Sequence, residues 1–143
     1  MKKYEPDEKD FKILKVLKEN SREPIREIAK KTGLKPSTVH QRMERLKRDG
    51  VIEKYTLKLD NEAVGENFLV FIYLATEKDL PKEAFANKNI KEAFGITGEY
   101  DLLLKLKFKD IKEFNDFIID FRKKYDIKKT LTNIATINLK EQI

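Results

Sequence analysis

Two hydrophobic rhythms in succession predict an α+β chain. Up to about residue 50 the apolar residues recur at helical spacing; from Phe68 onward they fall in strand-like runs separated by two helical stretches. Charge divides the chain in the same region. Residues 1–60 hold 17 Lys and Arg against 11 Asp and Glu, a net of +6, whereas residues 61–143 hold 14 of each. The expected organisation is a winged helix-turn-helix domain over residues 1–60, a linker at 61–67, and a sheet domain over 68–143.

The first helix is announced by Asp7 and Asp10, a capping pair, and by the apolar stripe Phe11, Ile13, Leu14 and Leu17, which fades at Asn20-Ser21. A second helix runs from about Pro24, a residue suited to a first turn, to Lys31. Its apolar side is Ile25, Ile28 and Ala29, and Thr32-Gly33 supplies a left-handed C-cap. The third runs from Pro36 to Arg48 and closes at Asp49-Gly50. Two helices joined by a tight glycine-containing turn form a helix-turn-helix, here about Ile25 to Glu44. In "VIEKYTLKLD" the alternation of Glu53, Tyr55, Leu57 and Leu59 with Ile52, Lys54, Thr56 and Lys58 reads as a strand or short hairpin, a wing. Gly65 gives the linker after it some freedom.

In the second half, "FLVFIYLAT" (68–76) is a continuous apolar run, expected as a covered strand. Leu80–Asn87 reads as a short helix and Ile90–Thr97 as a strand, followed by a turn at Gly98–Asp101. In "LLLKLKFK", Leu104, Leu106 and Phe108 alternate with Lys105, Lys107 and Lys109, predicting a sheet with one wet face. Asp110 and Glu113 form a capping box for a helix with Ile111, Phe114, Phe117, Ile118 and Phe121 inward. "IKKTLTNIATINLK" closes the chain as a strand. The order βαββαβ is that of ferredoxin-like folds.

On a helical wheel, residues 36–48 place Val39, Met43 and Leu46 on one side. Ser37, His40, Gln41, Glu44, Arg45 and Arg48 occupy the opposite arc, with Thr38 and Arg42 on a flank. Hydroxyl, amide and guanidinium groups are those that read base edges, and the first residues of such a helix approach the bases. Ser37, Thr38 and Gln41 are therefore the candidates for base contact, with His40 and Arg42 next. Arg42 has an alternative role, pairing with the first helix. Lys30, Lys31, Lys35, Arg45, Lys47 and Arg48 are placed for phosphates. Lys35 stands where a helix usually has a Ser, Thr, Asp or Asn cap; a docked phosphate would favour a cation there.

Other chemistry has little to stand on. The chain has one His and no Cys, so no disulfide, metal or cofactor site is expected, and Glu99 with Asp101 does not make an acid/base site. An enzyme is not expected. No apolar run approaches the roughly 18 residues of a membrane span, so a cytoplasmic protein without a membrane partner is expected. The excess of Lys and Glu is of the kind hyperthermophilic proteins favour.

The stretch from Asp7 to Thr56 resembles the N-terminal domain of the Lrp/AsnC (leucine-responsive regulator) family of bacterial and archaeal transcription factors. The match includes Asp7, Asp10, Ile13, Leu14, Leu17, Arg22, Ile28-Ala29, Gly33-Leu34, Ser37-Thr38-Val39, Arg42, Leu46 and Gly50-Val51-Ile52. "ITGEYDLLLKL" resembles the sheet turn of the family's effector domain, also called RAM or ACT-like. An archaeal member is expected. The resemblance implies a regulator that binds pseudo-palindromic duplex DNA as a homodimer, tetramer or octamer. It also implies an amino acid effector and contact with the basal transcription machinery. Effector-site residues carried over are Gly95, Thr97, Gly98, Glu99, Tyr100 and Asp101, with Asn133, Ile134 and Ala135 on the last strand. Lys35 departs from the family's serine, and Leu80–Asn87 is shorter than its usual helix. The alternative is an architectural chromatin protein of low sequence preference.

Overall fold

The computed structural model describes residues 4–143. They form two compact units, one ending at Leu57 and one running from Lys58 to Ile143.

The first unit holds α1 (Glu8–Glu19), α2 (Ile25–Thr32) and α3 (Pro36–Arg48). The Asp7 carboxylate accepts from the Asp10 backbone N–H, and the Asp10 carboxylate accepts from that of Asp7, a reciprocal box that starts α1. Gly33, at φ +72, ends α2 in the left-handed region, which a side chain would strain, and turns the chain into α3. Ile13, Leu17, Ile28, Ala29 and Val39 form the core, with Leu34, Met43 and Ile52 packed against it. Val51 and Ile52 donate backbone N–H groups to the Leu46 carbonyl and fold the chain back on α3. Phe11 is 60% exposed rather than inward.

Residues 53–60 do not form the expected strand; they run exposed and without a ladder. Alternation specifies extended backbone, but a strand also needs a partner for its N–H and C=O groups, and this segment has none in the described chain.

The second unit is a four-stranded antiparallel sheet in the order β2-β3-β1-β4, with β1 (Phe68–Ala75), β2 (Ile90–Gly95), β3 (Leu102–Phe108) and β4 (Lys129–Ile134). α4 (Ile111–Tyr125) covers one face. The helix expected at 80–87 is a single 3-10 turn, Lys82–Phe85, which still seats Ala84 in the core. The last strand is shorter than the apolar pattern suggested, and Ile111 is 56% exposed. The core joins Val70, Ile72, Leu74, Leu104, Leu106 and Phe108 to Phe114 and Phe121 of α4.

The opposite face is not the solvated lysine face expected: it carries apolar side chains, and the lysines of β3 on it are largely covered. Cross-strand register aligns Phe94, Leu103, Tyr73 and Leu131 in one row across all four strands. In the next two rows along β3, Lys105 and the buried Lys107 are drawn to Glu141 of the C-terminal tail, at 2.9 and 2.7 Å, and Lys58 reaches the same carboxylate at 2.6 Å. The three ammonium groups hold the Glu141 carboxyl well below its ordinary range, mainly through hydrogen bonds from Lys107 and Lys58. The linker is also tied down. Gly65, at φ +69, closes a hydrogen-bonded turn, Asn61 accepts from Lys107, and Glu66 pairs with Lys91.

Candidate nucleic-acid interface

α3 presents its polar arc as expected. Thr38, His40, Gln41, Arg42, Glu44, Arg45 and Arg48 line one shallow concavity. Ser37, His40 and Gln41 are exposed, and Thr38 is half-buried. The opposite side of the helix is anchored by Val39 and Leu46, both fully buried. Lys35 is the N-cap, with no side-chain capping bond. The first-turn N–H groups of α3 are thus available to an anion, since no earlier turn supplies carbonyls for them.

The cations around this face differ in how firmly they are held. Lys30 pairs with Glu27 and Lys31 with Glu23, both at 3.1 Å, and Arg48 with Asp49 at 3.2 Å. These pairs are solvent-exposed on at least one side, and such bonds contribute at most about 1 kcal/mol, so a phosphate can displace them. Lys35 and Lys47 have no carboxylate within ion-pair distance among the described residues.

Arg42 is held differently. Its Nη1 donates to both Asp7 carboxylate oxygens, at 2.7 Å each, and to Asp10 Oδ1 at 3.0 Å. Hydrogen bonds from Arg42 and from the Asp10 backbone hold the Asp7 carboxyl at a pKa of about 2. Arg45 lies over the Tyr4 ring, 4.3 Å from its centroid, and donates to the Tyr4 hydroxyl, which in turn donates to Asp10. Tyr4, Asp7 and Asp10 belong to this cluster but were not singled out by sequence as part of the interface. The sequence marked Asp7 and Asp10 as a cap for α1 and as part of the family resemblance, and it offered Arg42 a pairing with the first helix, but it did not mark Tyr4.

The candidate effector residues divide. Gly95 and the turn 97–101 sit at one end of the sheet. There the Asp101 backbone N–H donates to the Leu74 carbonyl, and its carboxylate accepts from Thr76 N–H at 2.8 Å. Glu99 pairs with Lys129, whose ammonium lies 5.0 Å from the Tyr100 ring centroid; Lys129 was missed by the sequence reading. Asn133, Ile134 and Ala135 lie at the other end of β1, where Ala135 N–H donates to the Leu69 carbonyl. Five residues of strand separate Leu69 from Leu74, about 17 Å. A single copy therefore does not gather both sets around one small molecule.

Comparison with known proteins agrees with both units. Residues 6–53 match a winged helix-turn-helix DNA-binding family model, and residues 71–143 match the Lrp/AsnC ligand binding domain. The chain is 39% identical over 116 residues to the HTH-type transcriptional regulator FL11 of Pyrococcus horikoshii, covering 78% of this chain and 77% of the relative. Among solved structures, it is similar to a transcriptional regulator of Neisseria meningitidis in complex with L-Met. That likeness has 28% identity, a TM-score of 0.86, and coverage of 96% of this chain and 94% of the other. AsnC of E. coli matches at 28% identity and a TM-score of 0.85, covering 98% of each chain.

Proposed function

The chain belongs to the Lrp/AsnC family of transcription regulators, and from that premise we propose that α3 reads duplex DNA in the major groove while a second copy reads the matching half-site. The observation that carries this reading is the polar arc of α3, exposed on the unit that holds all of the chain's excess positive charge. Ser37, Thr38, His40 and Gln41 contact bases. Lys30, Lys31, Lys35, Lys47 and Arg48 contact phosphates and set the register.

The apolar row Phe94–Leu103–Tyr73–Leu131 supports self-association through the open face of the sheet, since contiguous exposed apolar surface favours an interface. Copies joined by a two-fold axis read a pseudo-palindrome, with half-sites about one helical turn or a multiple apart. The role of regulator places the protein in the cytoplasm with the genome, where the basal transcription machinery is its downstream partner. No catalytic step is assigned to it.

The effector is an amino acid, and it binds where the turn 95–101 of one copy meets residues 133–135 of another. The separation of those two sets within one chain supports a shared site, as does the L-Met complex of the similar Neisseria regulator.

Selection of bound sites from random duplex DNA, repeated with pooled amino acids, tests the reading. A symmetric motif should emerge, outcompeting random DNA by roughly 10³-fold or more. Enrichment of no motif would favour an architectural protein that coats DNA.

Lys35 has its own expected behaviour. A lysine at the N-cap opposes the helix dipole and supplies no cap. Lys35→Ser should stabilise the fold by about 1 kcal/mol in urea unfolding. It should also weaken binding to every sequence alike and lower the salt slope by about one phosphate per copy. Unchanged binding would make the lysine a surface residue.

A further inference from the structure

Arg42 was a candidate for touching DNA, yet its side chain is 18% exposed and its guanidinium is committed to two carboxylates on α1. One of these, Asp10, is fully buried. Both carboxylates already serve the start of α1, where Asp7 and Asp10 accept each other's backbone N–H groups at 3.0 Å. The helix cap and the arginine clamp are one device, so the start of α1 and the middle of α3 are fixed by the same two carboxylates. One turn further along α3, Arg45 is held against Tyr4, which also bonds Asp10.

The location gives the clamp its meaning. Arg42 lies on the flank of α3, between the buried side (Val39, Met43, Leu46) and the outward arc. A bond from a flank resists rotation of a helix about its axis more directly than packing beneath it does. Side-chain tips lie about 5 Å from a helix axis, so a 20° rotation displaces them by about 2 Å. Recognition groups must be held within about 0.5 Å.

We propose that Asp7, Asp10 and Arg42 are positioning residues for base readout: they lock the rotation of α3, and Arg42 itself touches neither base nor phosphate. This rests on α3 being the reading helix.

The test uses the full-length chain with Asp7→Asn, compared with wild type on the best selected site and on every single-base variant of it, at several salt concentrations. Asparagine keeps the cap on α1 but cannot offer Arg42 two anionic oxygens. Wild type should show penalties of roughly 5- to 100-fold per changed base. In Asp7→Asn these penalties should shrink together, by threefold or more, at all positions read by α3. Affinity for random DNA should be equal or higher, with an unchanged salt slope.

If Asp7 were only a surface charge, its removal would raise affinity for all sequences and leave the penalties intact, which overturns the proposal. Arg42→Gln supplies the second arm. A flattened profile with an unchanged salt slope supports the clamp. A slope reduced by about one per copy with the profile intact, or loss of preference at a single position, makes Arg42 a DNA contact and overturns it. Absence of any base preference in wild type is a separate result: it removes the reading helix itself, and the clamp with it.

Discussion

Phe94→Asp combined with Leu131→Asp should leave the chain monomeric where the proposed dimer would form, and weaken binding to a two-half-site operator by roughly 10²- to 10⁴-fold. The two residues stand at the outer ends of the row that crosses the sheet, and they are 50% and 45% exposed in a single copy. Neither is part of the core beneath α4, so the monomer should keep its circular dichroism and lose little thermal stability. A second copy on this face would bury the aspartates against Leu103 and Tyr73. Unpaired buried carboxylates are strongly disfavoured. The penalty on DNA follows from lost linkage. In the proposed dimer, two α3 helices joined through their sheets would bind the second half-site intramolecularly, whereas two monomers bind it from bulk solution. Affinity for a single half-site should therefore be unchanged. Sedimentation and gel-shift titrations on one and two half-sites check both parts. A variant that remains dimeric would show that copies associate elsewhere, and the exposed alternation of Tyr55, Leu57 and Leu59 would be the next surface to change.

How much of this was legible depended on how local each signal was. The three helices of the first unit were readable because their caps and stripes lie within a dozen residues: Asp7 with Asp10, Gly33, and Pro36. The strand order was readable from the succession of patterns. Phe11 was misplaced because adjacency to Ile13 and Leu14 outweighed angle; it lies about 120° from the centre of the stripe made by Ile13, Leu14 and Leu17. The lysines of β3 were read as solvated because their partner, Glu141, lies more than thirty residues further along the chain, and no periodicity announces such a pairing. For Arg42 the sequence left two roles open, DNA contact or pairing with the first helix, and did not name its carboxylate partners, since Asp7 is 35 residues away. The unpaired 53–60 segment marks a different limit. Its alternation fixes which side chains share a face but not what the backbone bonds to. In the candidate site, the outward arc of α3 was readable because one helix carries it. The effector residues were not resolved into a pocket, because one chain holds its two sets at opposite ends of a strand.

Raising salt from 50 to 200 mM should cost the operator complex roughly 10³- to 10⁵-fold in affinity, the fall expected for 6–10 phosphate contacts. The count follows from the proposed phosphate contacts and the proposed dimer. Of the basic side chains near α3, Arg42 is occupied by carboxylates, and Arg45 is held by Tyr4 and drawn toward Asp10. That leaves Lys30, Lys31, Lys35, Lys47 and Arg48, five per copy and ten per dimer. Their pairs with Glu27, Glu23 and Asp49 lower the net gain, because each exposed pair must open before a phosphate is bound. The slope of log K against log salt should therefore lie between about −5 and −9. Lys47→Gln should reduce its magnitude by about two per dimer, one for each copy. Arg42→Gln should leave it unchanged, since its charge already faces α1. A slope as shallow as about −2 would mean that most of these lysines do not reach the backbone. Affinity would then rest mainly on base contacts, and most of the +6 concentrated in the first 60 residues would not serve phosphate binding.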